Sequence, residues 1–275
     1  MYYRNMRSAR EIALDAKLAE MAGAFGLSGK AVAALEMLLH DEELQAAQEY
    51  ANTVSIVRLG FNDHGPVHMR TVAMNALIMF RLLRQAGIKT SLEKDECGDL
   101  EDSLTAALCA SLLHDLGMGV ARQDHELHSI YLALPILNRI LEEVYRGNIK
   151  KQVMIRALTL ECISGHMGTR TIHSLEAGVV QVADGCDMTK GRARIPLAIG
   201  QAKVGHIHQY SANSIEEVMI DAGKEKPIRI HVHMSNDAGF FQVEEVLLKK
   251  IAGSTAKPFI ELYAQVREEE AHQYL

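Results

Sequence analysis

Apolar residues recur every three or four positions along the first two thirds of the chain, which is the pattern of helices with one buried face. Proline in a first turn and glycine just past an end mark helix boundaries, as at Pro66 and Gly87. The apolar run from Leu104 to Leu113 predicts a short apolar helix that ends at Gly117. Together these signals predict helices over about residues 29–39, 66–85, 103–116, 125–146, 149–164 and 174–188.

Capping residues and prolines refine these boundaries. Ser28 is a candidate cap for the second helix of the chain. Residues 88–102 are polar and acidic, so we expect a loop there that ends in a helix cap at Asp102 or Ser103. Pro135 lies inside a predicted helix and is expected to kink it or to mark a local break.

The last quarter of the chain has a different pattern. Residues 228–234 alternate apolar and polar side chains, as in a half-buried strand, and 214–221 and 259–266 also have strand character. Asn236 or Asp237 begins a helix between the second and third strands. The sequence therefore predicts a mainly α protein with a small C-terminal α+β (β-β-α-β) unit. Its predicted parts are N-terminal helices (residues 1–60), a helical domain (61–195) and the C-terminal unit (196–275).

Composition limits the class of partner and the location. The net charge of −6 argues against an extended nucleic-acid surface. No apolar run approaches the roughly 20 residues of a membrane span, and the first ten residues lack the apolar stretch of a signal peptide. The four cysteines show no CxxC spacing, and Cys109 and Cys162 are interpreted as buried thiols of a reducing compartment. We therefore expect a soluble cytoplasmic protein.

Metal-capable residues concentrate at predicted helix ends in the helical domain. His114 and Asp115 lie side by side at the end of the apolar helix, where they offer an imidazole nitrogen and a carboxylate oxygen to a divalent metal. For each histidine taken alone, a helix-terminal or capping role is the simpler explanation. Their repetition at several helix ends favours a shared site, because helix bundles build metal sites from facing helices.

Four of these residues carry a resemblance to a known family. The segments His64-Gly65-Pro66-Val67-His68, Leu112-Leu113-His114-Asp115-Leu116-Gly117 and Val182-Ala183-Asp184-Gly185-Cys186-Asp187 follow one another in the order H…HD…D. This order resembles the HD-domain metal-dependent phosphohydrolases over roughly residues 60–190. The resemblance implies an HD-type helical bundle in which one metal is held by His68, His114, Asp115 and Asp184.

The same resemblance implies a second metal. Some members of the family add two histidines between the doublet and the last aspartate, and His125 and His166 match those positions. His128, three residues after His125, competes for the first of them. Asp115 would then bridge two metals.

Further residues are assigned by their position near this motif. His64 is a candidate for substrate contact or proton transfer, or a supporting histidine. Asp187, close behind Asp184, would orient a ligand or lie on a solvated helix end. The basic side chains that follow are candidates for binding phosphate, with a solvated loop as the alternative. They are Lys190, Arg192 and Arg194.

The resemblance implies hydrolysis of a phosphomonoester or phosphodiester by a metal-bound hydroxide. The expected cofactor is one or two divalent metals per chain, with Mn, Fe, Mg, Zn and Ni undistinguished. The expected partner is a small phosphorylated substrate, with a nucleotide as one candidate, and a homodimer is a further expectation. Two alternatives stay open: a diiron oxygenase of the same superfamily, and a regulatory nucleotide-binding protein without turnover.

Overall fold

The computed structural model describes residues 7–26, 28–189 and 207–275 of the chain. Its first part is helical. The α-helices of this part are α1 (Ala9–Gly23), α2 (Lys30–Leu39), α3 (Glu42–Thr53), α4 (Pro66–Gln85), α5 (Ser91–Lys94), α6 (Leu100–Leu113), α7 (His125–Val144), α8 (Ile149–Gly165) and α9 (Leu175–Gly185). A π-helical turn, Val54–Arg58, extends α3, and a 3-10 turn, Leu116–Gly119, follows α6.

Helix α6 lies at the centre of this helical part. Every residue from Glu101 to Leu113 is buried, because α2, α4, α8 and α9 all pack around it. A helix that is surrounded in this way needs apolar side chains on all its faces, which explains the apolar run in the sequence. The run is interrupted by Thr105 and Ser111, whose hydroxyls donate to carbonyl oxygens of the same helix. The end of α6, where the His-Asp doublet lies, is thereby fixed deep in the bundle.

Two predicted caps are wrong. The cap of α6 is Asp99, which accepts from the backbone N–H of Asp102 while the Asp102 carboxylate accepts from the N–H of Asp99. Such a reciprocal cap needs its second member three residues into the helix, and Asp102 fills that role. Ser103, the other predicted cap, lies inside the helix, and its hydroxyl donates to Glu176.

At the start of α2, the left-handed Gly29 is the cap residue, and Ser28 instead donates its hydroxyl to Glu101 of α6. Glu101 also accepts from the backbone N–H groups of Gly29 and Lys30, so a distant carboxylate takes over the capping role. Of the two effects expected at Pro135, a kink or a local break, the break does not occur, because α7 runs continuously through this residue.

The C-terminal part is a small α+β unit, as predicted. It comprises α10 (Ile207–Ser214), β1 (Ile215–Ala222), β2 (Ile228–Met234), α11 (Ala238–Gln242), a π-helical segment (Val243–Leu248), α12 (Lys249–Ala252), a 3-10 turn (Lys257–Phe259), β3 (Ile260–Val266) and β4 (His272–Gln273). Strand order is β1-β2-β3-β4, with β2 and β3 parallel and the other pairs antiparallel. The helical segment 238–252 connects the two parallel strands, as such a pair requires. Helix α10 and strand β4 were not predicted.

Two further expectations are tested by the structure. Cys109 and Cys162 are buried, and burial raises the pKa of the Cys109 thiol to about 12. Among the described residues, no helix combines the length and the apolar character needed to cross a membrane.

Candidate metal centre

The ends of four other helices converge at the end of α6. His68 lies in the first turn of α4, His125 begins α7, and His166 follows the last residue of α8. Their side chains meet His114 and Asp115 at the end of α6. They also meet the Asp184 carboxylate in the last turn of α9. The resulting His/Asp cluster is buried throughout and consists of His68, His114, Asp115, His125, His166 and Asp184.

Asp115 occupies the middle of the cluster. Its Oδ1 atom lies 3.1 Å from Nε2 of His125 and 3.5 Å from Nε2 of His166. Its Oδ2 atom lies 3.3 Å from Nε2 of His68 and 3.4 Å from Nε2 of His114. The two oxygens of one carboxylate therefore face two different pairs of imidazoles.

Asp184 distinguishes the two sides of this cluster. Its Oδ1 atom lies 3.2 Å from Nε2 of His68 and 3.9 Å from Nε2 of His114. We call the side that contains these two histidines and Asp184 the first half, and the side that contains His125 and His166 the second half. Potential ligand atoms converge to within 4.8 Å in two groups of three, namely His68, His114 and Asp184, and His114, Asp115 and His166.

The imidazoles present lone pairs to one another. Nδ1 of His114 lies 3.0 Å from the carbonyl oxygen of Ser111, and Nδ1 of His166 lies 2.7 Å from that of Ile163. A carbonyl can only accept, so the ring hydrogen of each neutral imidazole lies on Nδ1. His125 follows the same pattern, with Nδ1 3.0 Å from the Arg122 carbonyl oxygen.

The Nε2 atoms that face inward are therefore acceptors. Nε2 of His68 lies 3.2 Å from Nε2 of His114, and Nε2 of His125 lies 3.1 Å from Nε2 of His166. Two lone pairs at that separation repel unless a cation lies between or beside them. Buried nitrogen acceptors together with carboxylate oxygens are a suitable donor set for a divalent transition metal. The residues present thus fit the metal that the HD resemblance implies.

Protonation states agree with this conclusion. Burial alone would raise the pKa of Asp115, but the neighbouring imidazoles, led by His114, hold it well below its ordinary value. Burial acts in the same direction on Asp184, where Lys250 and His68 more than offset it and keep that pKa low as well. Burial lowers the pKa of His166 to about 4. At neutral pH the carboxylates are ionised and His166 is neutral, as metal ligands must be.

Outer partners differ between the histidines. Nδ1 of His68 lies 2.7 Å from Oδ2 of Asp187, so a carboxylate fixes this imidazole with Nε2 directed inward. Glu126 is the nearest counterpart for His125, but its Oε2 atom lies 3.6 Å from Nδ1, which is too far for a hydrogen bond.

Two other predicted positions lie near the cluster. The ring of His64 is 6.0 Å from that of His68, and its Nδ1 atom lies 2.6 Å from the Asn62 carbonyl oxygen and 2.9 Å from the Ser55 hydroxyl. His128 is half-buried, and its Cβ lies against Gly117. Of the two candidates on α7, His125 is the one that contacts Asp115.

The predicted phosphate-binding residues Lys190, Arg192 and Arg194 fall outside the described residues. Other basic side chains border the second half. A cavity of about 390 Å³ is lined by Arg122, His125, Glu126, Thr169 and Arg170, among others.

Sequence reasoning missed Lys250. This lysine belongs to α12 in the C-terminal unit, and its Nζ atom forms a buried ion pair with Oδ2 of Asp184. No local motif marks it, because it lies 66 residues from its partner in the sequence. The only available signal was its place on a helix with one apolar face.

The chain is similar in sequence to several known proteins. It is 43% identical to the uncharacterized protein MJ1020 of Methanocaldococcus jannaschii over 232 residues, which are 84% of this chain and 88% of that protein. It is 27% identical to ribonuclease Y of Clostridium tetani over 151 residues and to ribonuclease Y of Clostridium botulinum (strain Hall) over 174 residues.

The ribonuclease matches are partial. They include 54% and 62% of this chain, but only 26% and 31% of the two ribonucleases. No protein-family model and no solved structure matches the chain. The partial similarity to ribonuclease Y and the buried His/Asp cluster together support an HD domain. Because the chain matches 88% of MJ1020 at 43% identity, it belongs to the same protein family as MJ1020.

Proposed function

We propose that this protein is a metal-dependent phosphohydrolase that cleaves a phosphomonoester or phosphodiester at a centre for two divalent cations. The observation that carries this proposal is the orientation of Asp115, whose two oxygens face separate pairs of imidazoles. A bridging carboxylate is what two neighbouring cations need in order to share one site. In this proposal His68, His114 and Asp184 complete the first half, and His125 and His166 complete the second.

The chain itself would contribute orientation and charge. Divalent cations held there would lower the pKa of a bound water to about 7 and would neutralise charge on phosphoryl oxygens. Asp115 and the surrounding imidazoles are buried, so bulk water is excluded around them and electrostatic interactions are strong. No protein nucleophile is required for the reaction.

His64 is proposed as a proton-transfer group. Its ring is near His68 but is less buried than the ligands, which suits a residue that exchanges protons with substrate or solvent. The hydrogen bonds from Nδ1 to Asn62 and Ser55 fix the orientation of the ring.

Substrate phosphate is proposed to enter at the cavity beside His125. Arg122 and Arg170 border this cavity and can offer planar, bidentate donors to phosphoryl oxygens. Lys190, Arg192 and Arg194 remain proposed phosphate ligands on sequence grounds. The volume of about 390 Å³ suits a small phosphorylated molecule.

The test is metal-dependent turnover. Protein stripped with a chelator should not hydrolyse p-nitrophenyl phosphate or bis(p-nitrophenyl) phosphate, and Mn²⁺, Fe²⁺, Mg²⁺, Zn²⁺ or Ni²⁺, added one at a time, should restore hydrolysis with at least one of them. The preferred ester distinguishes a monoesterase from a diesterase.

Two results would contradict the proposal. One is equal hydrolysis with and without the chelator, and the other is a protein that retains no metal under any loading condition. Oxygen uptake by the iron-loaded protein without ester hydrolysis would replace it with the oxygenase alternative.

A further inference from the structure

Lys250 brings an ammonium group from the C-terminal unit to the first half of the cluster. Its Nζ atom contacts Oδ2 of Asp184, and the side chains are only 11% and 8% exposed, respectively. The other oxygen of the same carboxylate, Oδ1, faces His68. One carboxylate is therefore divided between a lysine on one side and the proposed metal position on the other.

The position of Lys250 is held by the surrounding backbone. Its carbonyl oxygen accepts from Nε2 of Gln181 on α9, at 2.9 Å. Nearby, the hydroxyl of Ser254 donates to the carbonyl oxygen of Gly178, also on α9. A methyl group on Gly185 would lie 3.2 Å from Cδ of Lys250, so the missing side chain leaves room for the lysine stem. These contacts fix α12 along the helix that carries Asp184.

The contact between Lys250 and Asp184 balances negative charge in the first half. Asp115, Asp184 and Asp187 bring three buried carboxylates to the first half. Buried carboxylates are costly unless an opposite charge balances them, and the loss of one partner of a buried pair is strongly destabilising. Lys250 supplies such a charge whether or not a metal is bound.

We propose that Lys250 is a positioning residue that serves as the built-in counter-cation of Asp184, so that the C-terminal unit is part of the metal centre. The inference rests on the proposed metal function of the cluster. The ammonium group contacts Oδ2 and leaves Oδ1 directed at His68, so the buried carboxylate has a counter-charge before a metal arrives. Because the Lys250 ammonium group and the metal would interact with the same Asp184 carboxylate, each weakens the binding of the other.

The experiment compares Lys250→Met with Lys250→Arg in chelator-treated and Mn²⁺-saturated protein. Lys250→Met should lower the metal-free Tm by on the order of 5 °C, because it leaves a buried carboxylate without its partner. Added Mn²⁺ should then raise Tm by more than in the wild type, and the Mn²⁺ dissociation constant should fall on the order of ten-fold. Lys250→Arg keeps the charge and should resemble the wild type in both respects.

A lysine that only packs would lower Tm equally with and without Mn²⁺. An equal Mn²⁺-induced rise in wild type and Lys250→Met, or weaker Mn²⁺ binding by Lys250→Met, would overturn the inference.

A metal-free arm separates this inference from the proposed function. If Mn²⁺ leaves the wild-type Tm unchanged, the metal function fails, but the ion pair can still be tested. Adding Asp184→Asn to Lys250→Met should recover much of the metal-free Tm lost in Lys250→Met, because both charges are then gone. If the Tm of the double variant falls instead by the sum of the losses in Lys250→Met alone and Asp184→Asn alone, Lys250 is not the counter-cation of Asp184.

Discussion

The two halves of the cluster share Asp115 but differ in what supports their imidazoles. In the first half, His68 donates to the carboxylate of Asp187, whereas His114 donates to the backbone carbonyl oxygen of Ser111. In the second half, His125 and His166 donate to backbone carbonyl oxygens. A carboxylate partner makes an imidazole more basic and adds negative charge beside the site, whereas a carbonyl mainly orients the ring.

Charge follows the same division. The first half has Asp184 in addition to the shared carboxylate, and the second half has no second carboxylate in contact with its Nε2 atoms among the described residues. The first half sets two additional carboxylates, those of Asp184 and Asp187, against the single charge of Lys250. Because it keeps the greater negative charge, we expect the first half to bind its metal more tightly. In the proposed two-metal centre, we therefore expect the first half to load before the second.

The largest effect is expected at the shared residue. Asp115→Asn removes the charge that both halves use, so both metals should be lost and phosphoester hydrolysis should fall roughly 1,000-fold or more. Elemental analysis and a p-nitrophenyl ester assay measure the two quantities. Asp221→Asn, on strand β1 and outside the His/Asp cluster, is the matched control and should keep both. A variant that lacks Asp115 but retains two metals would remove the basis for comparing the halves.

The next largest effect is the loss of metal binding from one half at a time. His166→Gln should abolish the weaker phase of a Mn²⁺ titration and leave the tighter one, whereas His68→Gln should abolish the tighter phase. Calorimetric titration of chelator-treated protein resolves the phases. If His166→Gln removes the tighter phase instead, the proposed order of loading is reversed.

Much of this cluster could be predicted from the sequence because its order of histidines and aspartates resembles the motif of the HD-domain phosphohydrolases, and because the candidate residues lie at predicted helix ends. A helix end fixes the direction of the chain, so short segments such as Leu112–Gly117 place a ligand in nearly the same local setting in any such bundle. Boundaries were less accurate where a distant group acts as the cap. Glu101 caps α2 from another helix, and no pattern near Ser28 could indicate that.

Other features of the cluster depend on tertiary packing and could not be predicted from local sequence. His125 and His128 are one helical turn apart, so periodicity places them on neighbouring faces and cannot choose between them. The close approach of α7 to Gly117 directs His125 into the cluster. Lys250 reaches Asp184 only because α12 lies along α9, a contact between units that have no shared sequence signal.

Gly117 offers a way to disturb the second half alone. A methyl group there would lie 2.0 Å from the carbonyl oxygen of His125 and 2.6 Å from the backbone nitrogen of Ser129, and neither backbone atom can yield without moving α7. Gly117→Ala should destabilise the protein by about 1–3 kcal/mol and weaken the second Mn²⁺ more than the first. Denaturant unfolding and Mn²⁺ titration measure the two effects. Gly23→Ala, where a methyl group meets nothing within 4 Å, is the control. Equal weakening of both metals would show that the halves are not separable in this way.

The smallest effect is expected from the outer carboxylates, and it tests the comparison most directly. Asp187→Asn keeps the shape of the side chain but removes the charge that His68 contacts, so the tighter Mn²⁺ should bind about 10–100-fold more weakly. Glu126→Gln is the matched change in the second half, where the carboxylate lies 3.6 Å from Nδ1 of His125, and it should alter Mn²⁺ binding far less. Titration of both variants under one buffer condition gives the ratio. If the two substitutions weaken their metals to the same extent, the hydrogen bond behind His68 is not what distinguishes the halves, and the number of ligand carboxylates alone would have to account for any order of loading.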